Sequence, residues 1–143
     1  MTKYFADTNL FLRFLTNDVP AQAEAVAGLL RRAAAGKVAL QTSALVLAEL
    51  VWTLESYYEL GRENIKAKVL AILNTPGLLV EDADLIGRAI LLYAEKNVDF
   101  IDAYNACWMR KRGLSKVFTF DKKHFARVEG IVPLVLGEKD EKA

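Results

Sequence analysis

Apolar and polar positions along the chain fall into blocks whose period switches between strand-like and helical. Tyr4-Phe5-Ala6 is a short apolar run that ends at Asp7-Thr8-Asn9, and it reads as a buried strand. Leu10, Phe11, Phe14 and Leu15 then recur at helical spacing. Asp18-Val19-Pro20 reads as a helix start, with Asp18 as N-cap and proline in the first turn. That helix covers 21–35 and stops near Gly36. Residues 38–41 form a second strand, and Thr42-Ser43 cap a strongly apolar helix over 44–58. Beyond Gly61 a helix spans 63–73, halted by Asn74-Thr75-Pro76-Gly77.

A third strand covers 78–80, and Asp82 or Asp84 starts a helix through 85–96. After a break at 97–99, a helix over 101–112 ends at Gly113. Residues 117–120 form a fourth strand that ends at Asp121, followed by a short helical turn. Residues 131–136 make a last strand, which Pro133 confines to an edge. Short apolar strands alternating with helices predict an α/β fold with a parallel sheet covered on both faces. No repeat, linker or low-complexity tract interrupts the chain. One domain over 1–137 is expected, followed by a frayed polar tail at 138–143.

Composition narrows the chemistry. The 143 residues are 53% hydrophobic and 26% charged, enough for a core without disulfides or a structural metal. The single Cys107 and single His124 exclude an intrachain disulfide and disfavour a tetrahedral zinc site. Cys107 fits a reducing cytoplasm and reads as a small core residue. No apolar run reaches membrane-spanning length, and the N-terminus lacks a secretory pattern. The net charge of +1 rules out a general polycation, so nucleic-acid binding would need a local patch.

Four acids stand where acids are costly or useful. Asp7 and Asp121 follow strands, where parallel sheets bind ligands, although an acid in that place, taken alone, is more often an N-cap. Glu49 lies in the apolar stretch Ala48-Glu49-Leu50-Val51-Trp52 and is expected to be at least partly buried. Burial would demand a salt bridge, a set of donors or a cation. Asp102 follows Asp99 by three residues at the start of another apolar helix. Asp99 is the expected cap, leaving Asp102 to point inward from the first turn. Four converging carboxylates without histidine would select a hard cation, Mg²⁺ or Mn²⁺, suited to phosphodiester hydrolysis.

Charge is segregated. Residues 49–102 carry ten acids against five bases. Residues 110–127 carry seven bases, among them Arg110, Arg112, Lys122 and Lys123, against Asp121 alone. That stretch could hold a nucleic-acid backbone or simply be a solvated face. His124 reads as an exposed residue or a nucleic-acid contact rather than a general base. Trp52 and Trp108 read as core or dimer anchors, and Ser43 as a helix cap.

The blocks Phe5-Ala6-Asp7-Thr8-Asn9, Thr42-Ser43 with Ala48-Glu49-Leu50, Asp99-Phe100-Ile101-Asp102-Ala103 and Thr119-Phe120-Asp121 together resemble the PIN domain family, specifically its VapC-type toxin ribonucleases. The resemblance covers nearly the whole chain. It implies a three-layer α/β/α fold with a central parallel sheet. It also implies that Asp7, Glu49, Asp102 and Asp121 are the catalytic, metal-binding acids, with Thr8, Asn9 and Thr119 as polar residues near them. A cytoplasmic homodimer, an RNA substrate and an inhibiting antitoxin follow from it too. An aspartyl-phosphate-forming phosphatase is the weaker alternative, because the position two after Asp7 is Asn9. A non-catalytic RNA- or protein-binding relative is the other, and the presence of all four acids argues against it.

Overall fold

The computed structural model describes residues 2–137, so the expected tail at 138–143 lies outside the described residues. The chain divides into two compact units, Met1–Ala83 and Asp84–Ala143.

In the first unit, β1 (Lys3–Phe5), β2 (Ala39–Thr42) and β3 (Leu78–Val80) form a parallel sheet in the order β1-β2-β3. Lys3 pairs with Ala39 and Leu40 with Leu78, which sets the register. Parallel neighbours need crossovers, and helices supply them. The helices are α1 (Thr8–Thr16), α2 (Pro20–Ala34), α3 (Ala44–Ser56) and α4 (Arg62–Leu73). Leu47, Leu50 and Leu54 of α3 and Ile65 and Val69 of α4 are fully buried, each set recurring at helical spacing. Gly77 has φ +80°, and a Cβ there would lie 2.3 Å from the Ala33 carbonyl oxygen. Only glycine lets the entry to β3 pass so close to the end of α2.

The second unit contains α5 (Ala83–Glu95, its first residue at the boundary), α6 (Phe100–Lys111), β4 (Lys116–Phe118), a 3-10 turn at Phe125–Arg127 and β5 (Val132–Leu134). β4 and β5 pair in parallel, Val117 opposite Pro133. Ile86, Ile90 and Tyr93 of α5 are buried, and Tyr93 meets Phe100 edge to face at 6.3 Å. Among the described residues no helix is long and apolar enough to cross a membrane.

The α/β class and parallel pairing agree with the sequence pattern. The described strands pair as one group of three and one of two rather than as one continuous sheet. Both β4 and β5 are shorter than expected, the latter ending at Leu134. Asp18 is not the N-cap of α2. Val19 holds that position without a side-chain bond, and Pro20 opens the helix. Asp18 instead accepts from the Tyr58 hydroxyl at 2.6 Å and the Thr16 hydroxyl at 2.9 Å, and pairs with Arg13 at 3.3 Å.

Candidate metal centre

Asp7 leaves β1 at the point where the chain turns into α1. The turn is fixed from below: Ala6 N–H donates to Gln41 O at 2.8 Å, and the buried Thr42 hydroxyl donates to Ala6 O at 2.8 Å. Asp7 caps α1, its Oδ1 accepting from Thr8 N–H at 2.8 Å. Its backbone is extended, as a cap requires. The carboxylate is exposed, as is the neighbouring Asn9.

Thr8 is buried, and its hydroxyl donates to Glu49 Oε1 on α3. That bond ties the first turn of α1 to the middle of α3 and aims the Glu49 carboxylate. The N-terminus of α3 is held in turn by Ser43 Oγ, which accepts from Val46 N–H, and by Glu81 Oε1, which accepts from Ala44 N–H at 3.1 Å.

The expected burial of Glu49 does not hold: it is exposed. α3 is apolar in composition but amphipathic in use. Leu47, Leu50, Val51 and Leu54 face inward, while Leu45, Glu49 and Trp52 share the opposite face, Trp52 with 68% of its surface exposed. Trp108 is exposed as well and carries Arg112 stacked 3.8 Å above its ring. Neither tryptophan is a core residue. Cys107 is buried, and burial pushes its thiol pKa up, as a core cysteine requires.

In the second unit Asp99 is the N-cap of α6 and Asp102 lies in the first turn. Asp99 fills the cap by backbone conformation alone, since its side chain makes no cap bond. Burial raises the Asp102 carboxyl above its ordinary value, and the negative charges of Asp99 and Asp121 raise it further, with His124 acting the other way. Like charges held together in this way disfavour ionisation unless a cation joins them.

Asp121 ends a tight bend after β4. The Thr119 hydroxyl donates to Asp121 O and accepts from Asp121 N–H, both at 3.1 Å, and Asp121 Oδ1 accepts from Lys123 N–H at 3.1 Å. His124 is half-buried rather than exposed, and its Nδ1 accepts from Asp99 N–H at 2.6 Å. Of the basic residues, Arg110 donates to the Glu129 carbonyl, and Arg112 lies on Trp108. Lys122 and Lys123 are exposed.

The sequence-predicted acids therefore fall into two sets, Asp7 with Glu49 through Thr8, and Asp99 and Asp102 with Asp121. Among the described residues no three His, Cys, Asp or Glu side chains are gathered tightly enough to cage a metal ion. The fit to a metal is one of donor chemistry. Carboxylate oxygens predominate, and Asp102 is placed where neutralisation is favourable, which suits a hard divalent cation. The roles of Thr8 toward Glu49 and of His124 toward Asp99 carry no local sequence signal, because the partners lie 41 and 25 residues apart.

A parallel α/β arrangement with acids at strand ends and helix starts defines a class also marked by the sequence as a whole. The PIN domain family matches residues 4–131, and the chain belongs to that family. More particularly, it is similar to a VapC ribonuclease of Aquifex aeolicus (strain VF5), 35% identical over 78 residues that cover 54% of this chain and 58% of the relative. The chain thus aligns with little more than half the length of that curated relative. Among solved structures it is similar to VapC20 of Mycobacterium tuberculosis, a toxin that cleaves the sarcin-ricin loop, at 25% identity and a TM-score of 0.40. That likeness covers 87% of this chain and 94% of the other. It is also similar to VapBC2 of Rickettsia felis bound to a promoter DNA fragment, at 15% identity and a TM-score of 0.38, over 94% of this chain and 98% of the other.

Proposed function

We propose that this protein is a Mg²⁺-dependent endoribonuclease, the toxin of a type II toxin–antitoxin pair. In this reading Asp7, Glu49, Asp102 and Asp121 are the catalytic carboxylates that hold the metal, and Mn²⁺ also satisfies them. The observation that carries it is the placement of Asp102, raised by burial and by the charges of Asp99 and Asp121, in a chain of the PIN domain family. The likeness to a VapC ribonuclease supports RNA as substrate, and an antitoxin partner is what the resemblance to VapC-type toxins implies.

Asp7, Glu49, Asp102 and Asp121 would hold the ion, which would supply Lewis-acid chemistry: polarisation of a phosphoryl oxygen and a lowered water pKa that makes a hydroxide nucleophile available. The chain's own residues do the rest. Asp7 gives Oδ1 to the cap of α1, and its exposed carboxylate would help hold the metal. Thr8 aims Glu49, and Asn9 adds a polar group beside them. The Thr119 clamp fixes the direction of Asp121. Arg112, Lys122 and Lys123 supply phosphate contacts, whereas Arg110 acts mainly by anchoring the loop at Glu129. The homodimer and the cytoplasmic location belong to the same reading.

The test is RNA cleavage by purified protein in Mg²⁺, with EDTA as control, for wild type and Asp7→Asn. Asparagine caps a helix about as well as aspartate, so the fold should be kept, with a melting temperature within about 2 °C of wild type. Cleavage should fall by roughly 100-fold or more, because one metal-binding carboxylate is gone. Wild-type turnover by Asp7→Asn, or turnover indifferent to EDTA, would overturn the assignment. A non-catalytic RNA-binding relative would bind RNA in both forms and cleave it in neither.

A further inference from the structure

α6 opens with acids at two positions of a known pattern: Asp99 at the N-cap and Asp102 at the third helical residue. An acidic or amide side chain at that third position commonly reaches back to the N-cap N–H and closes a capping box. Here that N–H is already engaged. Asp99 N–H donates to His124 Nδ1 at 2.6 Å. A backbone N–H can only donate, so Nδ1 is the acceptor and the ring proton sits on Nε2.

The contact binds the segment after Asp121 to the start of α6, and a second contact supports it. In that second contact Arg127 Nη1 donates to Asn97 O at 2.5 Å. Between them lies the 3-10 turn, whose Phe125 is buried and whose Arg127 N–H bonds to His124 O at 3.1 Å. The ring thus stands between the segment that carries Asp121 and the turn that carries Asp102.

We infer that His124 is a positioning residue of the metal centre: it occupies the Asp99 amide, keeps Asp102 from closing a capping box, and fixes the Asp121 loop beside it. This inference rests on the reading of Asp102 and Asp121 as metal-binding acids. Without the imidazole acceptor, Asp102 would turn back to the vacant N–H and be lost to the cation. The histidine therefore acts through two carboxylates, with no contact to substrate or metal of its own.

The test is Mn²⁺ titration of the full-length protein by calorimetry without RNA, together with amide exchange at Asp99 by NMR. His124→Ala should weaken Mn²⁺ binding by roughly 10- to 100-fold, the range for groups that orient metal ligands. In His124→Ala the Asp99 amide should stay protected, because Asp102 takes it over, whereas in His124→Ala,Asp102→Ala it should exchange freely; equal exchange in the two overturns the inference. His124→Asn places its Oδ1 where Nδ1 stood, and it should restore Mn²⁺ affinity to within about threefold of wild type. If His124→Ala does not fold, His124→Gln takes its place, filling the ring's volume with the acceptor one bond too far out. Wild-type Mn²⁺ affinity in the Ala or Gln variant, or failure of His124→Asn to restore it, overturns the inference and leaves the metal reading standing. A wild-type protein that binds no Mn²⁺ overturns the metal reading itself.

Discussion

The bond between Thr8 and Glu49 can be tested by separating its share of stability from its share of function. Thr8→Val keeps the shape of a buried side chain and removes the only side-chain donor it offers. A hydrogen bond to a charged group contributes about 1.5–3 kcal/mol. Glu49 is exposed, so water replaces the lost donor, and the apolar methyl suits the buried position. The net cost should therefore be about 1 kcal/mol, or roughly 3–5 °C in melting temperature for a chain of this size. Thr8→Ser keeps the hydroxyl and deletes one buried methyl, which costs about the same. The two variants should melt together yet differ at the metal. Thr8→Val should lose about 10- to 100-fold in Mn²⁺ affinity as the Glu49 carboxylate loses its orientation, and Thr8→Ser should stay near wild type. Calorimetric titration beside thermal melts reads both quantities. Equal Mn²⁺ affinity in the two variants would refute the claim that Thr8 aims Glu49.

Two further outcomes follow from the fold. Gly77→Ala forces an L residue to φ +80° and brings its Cβ within 2.3 Å of the backbone oxygen of Ala33, which cannot rotate away. The expected loss is about 2–4 kcal/mol by denaturant unfolding, and a loss below about 1 kcal/mol would show that the end of α2 yields instead. At Asp18 the Tyr58 hydroxyl foremost, then Thr16 and Arg13, hold the carboxyl below its ordinary value of 3.8. A folded pKa below the unfolded one gives stability that is present above 3.8 and lost as pH falls through the folded value. Asp18→Asn should thus melt below wild type at neutral pH, with the gap closing only in acid. A gap that does not change with pH would show that the carboxylate charge is immaterial.

Most helices and strands were legible in the sequence because each is specified by its own neighbours. The helix 44–58 and the observed Ala44–Ser56 share a cap at Ser43 and the same buried leucines. The third strand, 78–80, is bracketed by a turn whose glycine the packing requires. Errors arose where a distant partner took over a locally plausible role. Asp18 stands in a sequence context that fits an N-cap, yet Tyr58, 40 residues further on, takes its carboxylate. Pro20 then sets the start of α2 without side-chain help, because its fixed φ already suits a first helical turn.

The site shows the same division at closer quarters. Residue type at a strand end or helix start exposed the acids, since a carboxylate in an apolar block calls for a partner whatever the fold. Glu49 is exposed although its neighbours are apolar, because the composition of a helix does not set the environment of each face. An apolar helix can still turn one face to solvent, and Leu45, Glu49 and Trp52 lie on that face of α3. What orients the acids was out of reach for a different reason. A hydroxyl at Thr8 or an imidazole at His124 gains its role only when folding brings it to an acceptor or donor on another element. Local pattern can therefore nominate the groups that carry charge in such a site. The neutral side chains that hold those charges in place are selected by geometry, and they are where substitutions of similar size separate stability from function.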